Sequence, residues 1–146
     1  MDVSVQPAVA EDFPQLFRLL PQLWPDRQID YHAARVAFEH ILQARDQGVL
    51  VARNKRGVAV GFASYTAAYR IECGGKCLVV NELIVDAEKR RRGVGRQLLE
   101  AAEMAALERD CTAIRIFAAA WRKDAHAFYR TMGYEAGEAV GFVKRV

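Results

Sequence analysis

The sequence is poor in the features that mark specialised protein classes. Three cysteines in 146 residues are an odd number, which suits a reducing cytoplasm better than a disulfide scaffold. No apolar run approaches the length of a membrane span, and residues 1–12 lack the basic and apolar regions of a secretory signal. A formal net charge of +3 does not by itself indicate a nucleic-acid partner. We therefore expect one ordinary globular domain spanning residues 1–146.

The sequence gives little indication of a metal site. Cys73 and Cys77 flank a short glycine turn and could form a metal-ligating pair. No second Cys or His pair stands nearby, as a zinc site would require, so we predict no metal.

Hydrophobic spacing alternates between the periods of strands and helices. Alternating or continuous apolar runs predict strands, whereas apolar residues three and four positions apart predict helices. The predicted strands are residues 3–7, 49–52, 58–71, 77–85, 113–117 and 135–143. The predicted helices are residues 13–20, 33–42 after an Asp30 cap, 94–106 and 124–132. An antiparallel meander followed by β-α-β crossovers predicts a mixed sheet covered by helices.

The most informative stretch is residues 81–106, NELIVDAEKRRRGVGRQLLEAAEMAA. Its apolar run at residues 83–85 predicts a strand, and helical spacing begins after the basic turn at residues 89–96. Strand, turn and helix in this order direct free backbone N–H groups and the positive end of a helix dipole at one point. Gly93 and Gly95 lack Cβ atoms, so an anion can approach the main chain. The stretch predicts a pyrophosphate site.

The turn differs from two familiar phosphate loops. Gly95 is followed by Arg96 and Gln97, not by the Lys-Ser/Thr of a P-loop. Leu98 occupies the third glycine position of the dinucleotide fingerprint. The pattern Arg-x-x-Gly-x-Gly at residues 90–95 resembles that of the GNAT superfamily of N-acetyltransferases, whose members hold the pyrophosphate of acetyl-CoA on this loop. A basic surface turn or a nucleic-acid patch over residues 89–92 is the alternative.

This resemblance extends to the order of the predicted elements. It implies an α/β (α+β) single-domain fold, with a mixed and mostly antiparallel sheet of roughly six to seven strands flanked by about four helices. It also implies acetyl-CoA as the acyl donor. The coenzyme-binding residues that it implies in the central stretch are Leu83, Ile84, Val85, Arg90, Arg91, Arg92, Gly93, Val94, Gly95 and Arg96.

Residues 121–136, WRKDAHAFYRTMGYEA, resemble the family's second motif, Ala-x-x-Phe-Tyr followed by Gly-Phe/Tyr. The resemblance implies that Tyr129 lies near the coenzyme sulfur and protonates the leaving thiolate, which a phenol can do. The alternative is that Tyr129 is a core aromatic. Arg122 stands where many members have Asn, and could reach a phosphate instead. His126 lies one turn before Tyr129 and could also contact the coenzyme.

Attack of an amine on a thioester requires a base or an ordered water to remove a proton from the ammonium. Glu82 is the candidate base, because a carboxylate within an apolar strand should have a raised pKa. The alternatives are a structural pairing with an arginine, contact with the substrate ammonium, or a base role for His32, His40 or His126. The family takes its oxyanion donors from backbone N–H groups of the strand matching residues 83–85, where a bulge splays the sheet.

Aromatic and acidic residues outside the two motifs suit a cationic acceptor. The predicted acceptor-binding residues are Trp24, Asp26, Tyr31, Tyr65, Tyr69 and Glu72, with Glu82 beside them. Residues 23–26 and 141–144 faintly resemble those of aminoglycoside 6'-N-acetyltransferases, which favours a small amine, aminoglycoside-like or polyamine acceptor. A protein or peptide acceptor, or a non-catalytic acyl-CoA-binding module, remains an alternative.

Two expectations concern macromolecular partners. No nucleic acid is expected, because a second basic stripe with interleaved aromatics is missing. A homodimer is expected from the family resemblance and from the apolar segment at residues 139–143.

Overall fold

The computed structural model describes residues 2–118, 122–137 and 140–146. In these ranges five strands form one sheet in the order β1-β2-β3-β4-β5. Strands β1 to β4 pair antiparallel in sequence order, and β5 lies parallel to β4 at the edge. The strands are β1 Ser4–Pro7, β2 Gln47–Arg53, β3 Ala59–Arg70, β4 Gly75–Val85 and β5 Cys111–Ile116.

Four α-helices connect and cover these strands. They are α1 Phe13–Leu23, α2 Tyr31–Gln43, α3 Val94–Glu108 and α4 Lys123–Thr131. The Asp30 carboxylate accepts the Ala33 N–H at 2.7 Å, which is the predicted cap of α2. Gly93 precedes α3 with a φ of 83°, a backbone conformation that favours glycine. Within the described ranges, no helix has both the length and the apolar character needed to cross a membrane.

The sheet buries both of its faces, because successive strand residues point to opposite sides. On one face, Leu98 and Leu99 of α3 pack against Leu78 and Val80 of β4. On the other face, α1 and α2 cover the strands, with Phe13, Leu16, Leu19, Phe38, Val51 and Phe62 in the core.

The expected fold class is confirmed, but the strand count is not. The chain has five described strands, not six to seven, because residues 134–137 and 140–146 form no strand. Glu138 and Ala139 lie outside the described residues, as do Ala119, Ala120 and Trp121. The side chains of Val140, Phe142 and Val143 are 74%, 93% and 76% exposed. An apolar pattern reports a propensity for strand structure, whereas a strand also requires a neighbour with which to exchange hydrogen bonds.

Candidate active site

Strands β4 and β5 separate partway along β4. Their parallel pairing ends at Val80 opposite Ile116, although β4 continues to Val85. Over residues 81–85, the side of β4 that faced β5 has no strand beside it in the described parts of the chain. Backbone polar groups on this side are therefore open to a ligand.

A bulge in the neighbouring ladder lies at the same level. In the β3–β4 register, Ser64 is opposite Glu82 and Tyr65 is opposite Val80, so Asn81 is the extra residue. Such a bulge increases local twist and bends the strand that contains it. The strand thus contains a bulge, but it lies at Asn81 and not at residues 83–85, where it was expected. It stands one residue before the carboxylate that was predicted to act as base.

The opening contains a cavity of about 320 Å³. Its walls come from the end of α1 and the following loop, the bulged part of β4, the residues after β5, and the start and middle of α4. The lining residues are Leu23, Trp24, Pro25, Asp26, Arg27, Asn81, Glu82, Leu83, Phe117, Ala118, Arg122 and Tyr129. Both predicted catalytic residues, Glu82 and Tyr129, therefore meet at one cavity.

Glu82 reaches this cavity from the face covered by α1 and α2. Its partly buried carboxylate accepts a hydrogen bond from the hydroxyl of Ser64, which is buried directly across the ladder. Burial raises the pKa of the Glu82 carboxyl, and the hydrogen bond from Ser64 opposes the rise. Neither effect on this pKa comes from an arginine. Glu82 is therefore a desolvated carboxyl whose hydrogen-bond partner is a hydroxyl group.

Tyr129 reaches the cavity from the opposite face, where α4 packs beside α3. Its ring lies 5.5 Å from that of Phe128 and 6.5 Å from that of Tyr134, centroid to centroid. Burial raises the pKa of the Tyr129 phenol, although the positive charge of Arg122 opposes this. The hydroxyl is therefore protonated at neutral pH and can donate a proton.

The basic turn between β4 and α3 lies next to this opening. Val94, Gly95 and Arg96 begin α3, so their N–H groups have no acceptor within the helix. Gly93 and Arg91 both have positive φ angles, 83° and 62°. A Cβ on Gly95 would lie 3.4 Å from the Phe128 ring, so the turn and α4 are in close contact. These features fit an anion bound to backbone N–H groups at a helix N-terminus.

The other predicted coenzyme residues occupy different positions around this turn. Leu83 lines the cavity, Ile84 is buried against α1, and Val94 is buried in the first turn of α3. Arg91, Arg92 and Arg96 are exposed on the turn, whereas the Nε of Arg90 donates to the backbone oxygen of Val85 at 3.0 Å. Arg122 precedes α4 and His126 is half-buried within it. Arg90 thus stabilises the start of the turn by a hydrogen bond to the end of β4.

Gln22 is a site residue that the sequence analysis missed. Its Oε1 accepts the Ala87 N–H at 2.8 Å, and its Nε2 lies 3.5 Å from Oδ1 of Asp86. The last turn of α1 is thereby joined to the beginning of the basic turn, 65 residues further along the chain. A glutamine in an amphipathic helix gives no local signal of such a contact.

Of the predicted acceptor residues, only some lie at the cavity. Trp24 and Asp26 line it, as does Glu82. Tyr31 instead packs edge-on against Phe13 and Phe17, with ring centroids 5.0 and 4.9 Å away. A second cavity lies beside this one, under α1 and α2. Within residues 2–118, 122–137 and 140–146, neither cavity is lined by Tyr31, Tyr65, Tyr69 or Glu72.

Strand geometry explains where the remaining three residues lie. Tyr65 follows Ser64, so it points to the α3 face, where it is buried beneath the Arg109 guanidinium at 5.1 Å. Tyr69 is 80% exposed near the far end of β3. Glu72 forms ion pairs with Arg70 at 2.7 Å and Arg115 at 2.6 Å. Their acceptor-binding roles have no support from this geometry.

Within the described parts of the chain, no group of three or more His, Cys, Asp or Glu side chains is arranged to hold a metal ion.

The sequence model of the Acetyltransferase (GNAT) family matches residues 10–134. An aminoglycoside N(6')-acetyltransferase type 1 from Klebsiella aerogenes is 35% identical over 117 residues, which cover 77% of each chain.

Solved structures show the same fold at lower identity. One is AAC(6')-Iy in complex with the bisubstrate analogue CoA-S-monomethyl-acetylneamine, with a TM-score of 0.83 and 23% identity over 100% of this chain and 99% of that one. Another is the 6'-N-acetyltransferase AAC(6')-Ih from Acinetobacter baumannii, with a TM-score of 0.83 and 20% identity over 99% of both chains.

Proposed function

The chain belongs to the acetyltransferase (GNAT) family, and from that premise we propose that it transfers an acetyl group from acetyl-CoA to a primary amine. The observation that carries this proposal is the meeting of Glu82 and Tyr129, from opposite faces of the sheet, at the cavity where β4 leaves β5. In a ternary complex the amine would attack the thioester directly. A side chain at one end of the cavity would take a proton from the amine, and a side chain at the other end would give a proton to the thiolate.

The proposed reaction needs the protein to make two proton transfers in opposite directions, and solvent to take one further proton. A base takes a proton from the ammonium, the free amine attacks the thioester carbon, the attacking nitrogen loses its second proton to solvent, and the tetrahedral intermediate collapses with loss of the thiolate. Those backbone N–H groups of residues 81–85 that point away from β3 are available to stabilise the oxyanion, because β5 does not pair there. The thiolate then takes a proton from an acid. Glu82 suits the first transfer and Tyr129 the second.

The coenzyme would bind with its pyrophosphate on the turn before α3. The helix N-terminus offers N–H groups and a favourable dipole, and exposed Arg91, Arg92 and Arg96 supply charge. The pantetheine arm would then pass between β4 and α4 toward Tyr129. The contact between Gly95 and Phe128 places the turn close enough to α4 for one extended ligand to touch both.

The acceptor is proposed to be a small cationic amine of the aminoglycoside or polyamine type. The relative that shares 35% identity is named as an aminoglycoside acetyltransferase, and the carboxylates of Asp26 and Glu82 with the Trp24 ring suit a cation. A peptide amine stays the alternative acceptor. Homodimer formation and a cytoplasmic location stay predictions, the first of which sedimentation velocity can test.

Thiol release is the direct test of the proposed function. Purified protein with acetyl-CoA should release coenzyme A in the presence of at least one amine from a panel of polyamines, aminoglycosides, amino acids and peptides. Mass spectrometry should find the acetyl group on the amine nitrogen. Tight coenzyme binding without release for any amine would instead support a non-catalytic acyl-CoA-binding module.

Gly93→Val should sharply weaken acetyl-CoA binding. Valine cannot easily adopt a φ of 83°, and its side chain would obstruct ligand approach to the backbone. The matched control is Gly57→Val, in the β2–β3 turn, where φ is 78° and a Cβ also meets open space. Calorimetry should show at least about tenfold weaker binding for Gly93→Val alone. Equal affinities for the two variants would refute the assignment of the pyrophosphate site.

Glu82→Gln should remove the acidic limb of the kcat/KM profile and lower kcat. Because burial raises the pKa of the Glu82 carboxyl, the wild-type enzyme should lose activity as falling pH protonates it. The control is Glu100→Gln on the exposed side of α3, which should keep the wild-type profile. A variant that raises only the acceptor KM would show that Glu82 binds the ammonium without acting as base.

Tyr129→Phe should lower kcat by about 100-fold while coenzyme affinity changes little, since only the hydroxyl is removed. Tyr134→Phe is the matched control: its hydroxyl donates to Glu103 at 2.9 Å, away from the cavity. Steady-state kinetics on the best acceptor would compare the two. If Tyr129→Phe keeps nearly full kcat, solvent protonates the thiolate and Tyr129 is not the acid.

A further inference from the structure

A second cavity adjoins the first. It has a volume of about 190 Å³ and lies between α1, α2 and the face of the sheet that they cover. Trp24 and Glu82 line both cavities, so the two spaces meet at the candidate base. Neither the catalytic roles proposed for Glu82 and Tyr129 nor the coenzyme turn makes use of this second space.

The walls of this second cavity are almost entirely apolar. Its walls include Phe17, Leu20, Ala34, Phe38 and Phe62, and its polar side chains are Ser64 and Glu82, with the Trp24 indole. The Ser64 hydroxyl already donates to Glu82, so it is not directed at a ligand. An apolar cavity of about 150 Å³ is large enough to hold benzene. This one has room for a six-carbon ring or a short branched chain.

The position of this cavity decides which substrate would fill it. It lies on the α1–α2 face, toward which Glu82 and Ser64 project, whereas Tyr129 and the coenzyme turn belong to the α3 face. The amine must stand at Glu82 to lose its proton. A group attached to that amine can therefore extend from Glu82 into the apolar space.

We propose that this cavity is an acceptor subsite for an apolar arm, so that the preferred acceptor is an amphiphilic primary amine with a ring or branched chain close to the nitrogen. Burial of the apolar arm would favour such an amine over an equally charged hydrophilic one. The inference rests on the proposed acetyl transfer to an amine, and within that reaction it favours an apolar acceptor over the hydrophilic aminoglycoside or polyamine named above.

A pair of simple amines tests this in the wild-type protein. With acetyl-CoA, 2-phenylethylamine should have a kcat/KM at least about tenfold above that of ethanolamine, because only the former fills the apolar space. Equal values would overturn the subsite while leaving acetyl transfer intact. Absence of thiol release with every amine tried would contradict the proposed function itself, and the subsite with it.

A cavity-filling variant locates the effect. Ala34 lines the cavity, whereas Ala33 is its exposed neighbour on the same helix. Ala34→Leu should lower kcat/KM for 2-phenylethylamine at least about tenfold and change that for ethanolamine less than about twofold. Ala33→Leu should change neither. If Ala34→Leu does not fold by circular dichroism, Ala37→Leu fills the same cavity from the next turn and replaces it.

The competing occupant of this space is a longer acyl chain on the coenzyme. Hexanoyl-CoA and acetyl-CoA are therefore compared as donors with ethanolamine. Selective loss of hexanoyl transfer in Ala34→Leu, with unchanged discrimination between the two amines, would assign the cavity to the donor and overturn the proposal. An equal fall of kcat/KM for both amines would also overturn it, because the substitution would then act on the fold and not on a subsite.

Discussion

The organisation of the molecule depends on the point at which β4 stops pairing with β5. Backbone N–H and C=O groups inside a domain are normally paired, so a strand that leaves its neighbour must have another use for them. Here the separation begins at Val80, and the Asn81 bulge bends β4 at the same level. Both faces of the sheet thereby open onto one cavity. Without this separation, Glu82 and Tyr129 would remain on opposite sides of a closed layer.

The pair formed by Ser64 and Glu82 is a polar element in an otherwise apolar layer. Burying an ionisable carboxyl is unfavourable for its charged form, and this is the same physical effect that raises its pKa. One hydrogen bond from Ser64 offsets part of the cost. An apolar pair at these two positions would suit the packing between the sheet and α1 equally well. Packing does not require this polar pair, and Glu82 lies where the two cavities meet. A role in the reaction therefore explains the pair better than a role in stability does.

The end of α1 connects the parts of the site that bind different molecules. Gln22 is bonded to the start of the basic turn, and the next residues, Leu23 and Trp24, line the cavity. A single helical turn therefore positions both the proposed coenzyme loop and the acceptor wall. Arg90 adds a second restraint by bonding to the end of β4. Charge on the turn is thus divided between a structural arginine and the exposed ones that a phosphate can reach.

The sequence by itself determined the features that depend on neighbouring residues. The strand, glycine turn and helix at residues 81–106 were predictable from local spacing, as were the Asp30 cap and the aromatic pair of α4, because each is set by interactions within a few positions of the chain. Only the tertiary structure decided which face each β3 side chain occupies, that Tyr65 is a core residue, and that Gln22 meets Ala87. It also decided that residues 140–146 add no strand to the sheet. These outcomes depend on ladder register and on contacts between distant segments, and local propensity contains no information about either.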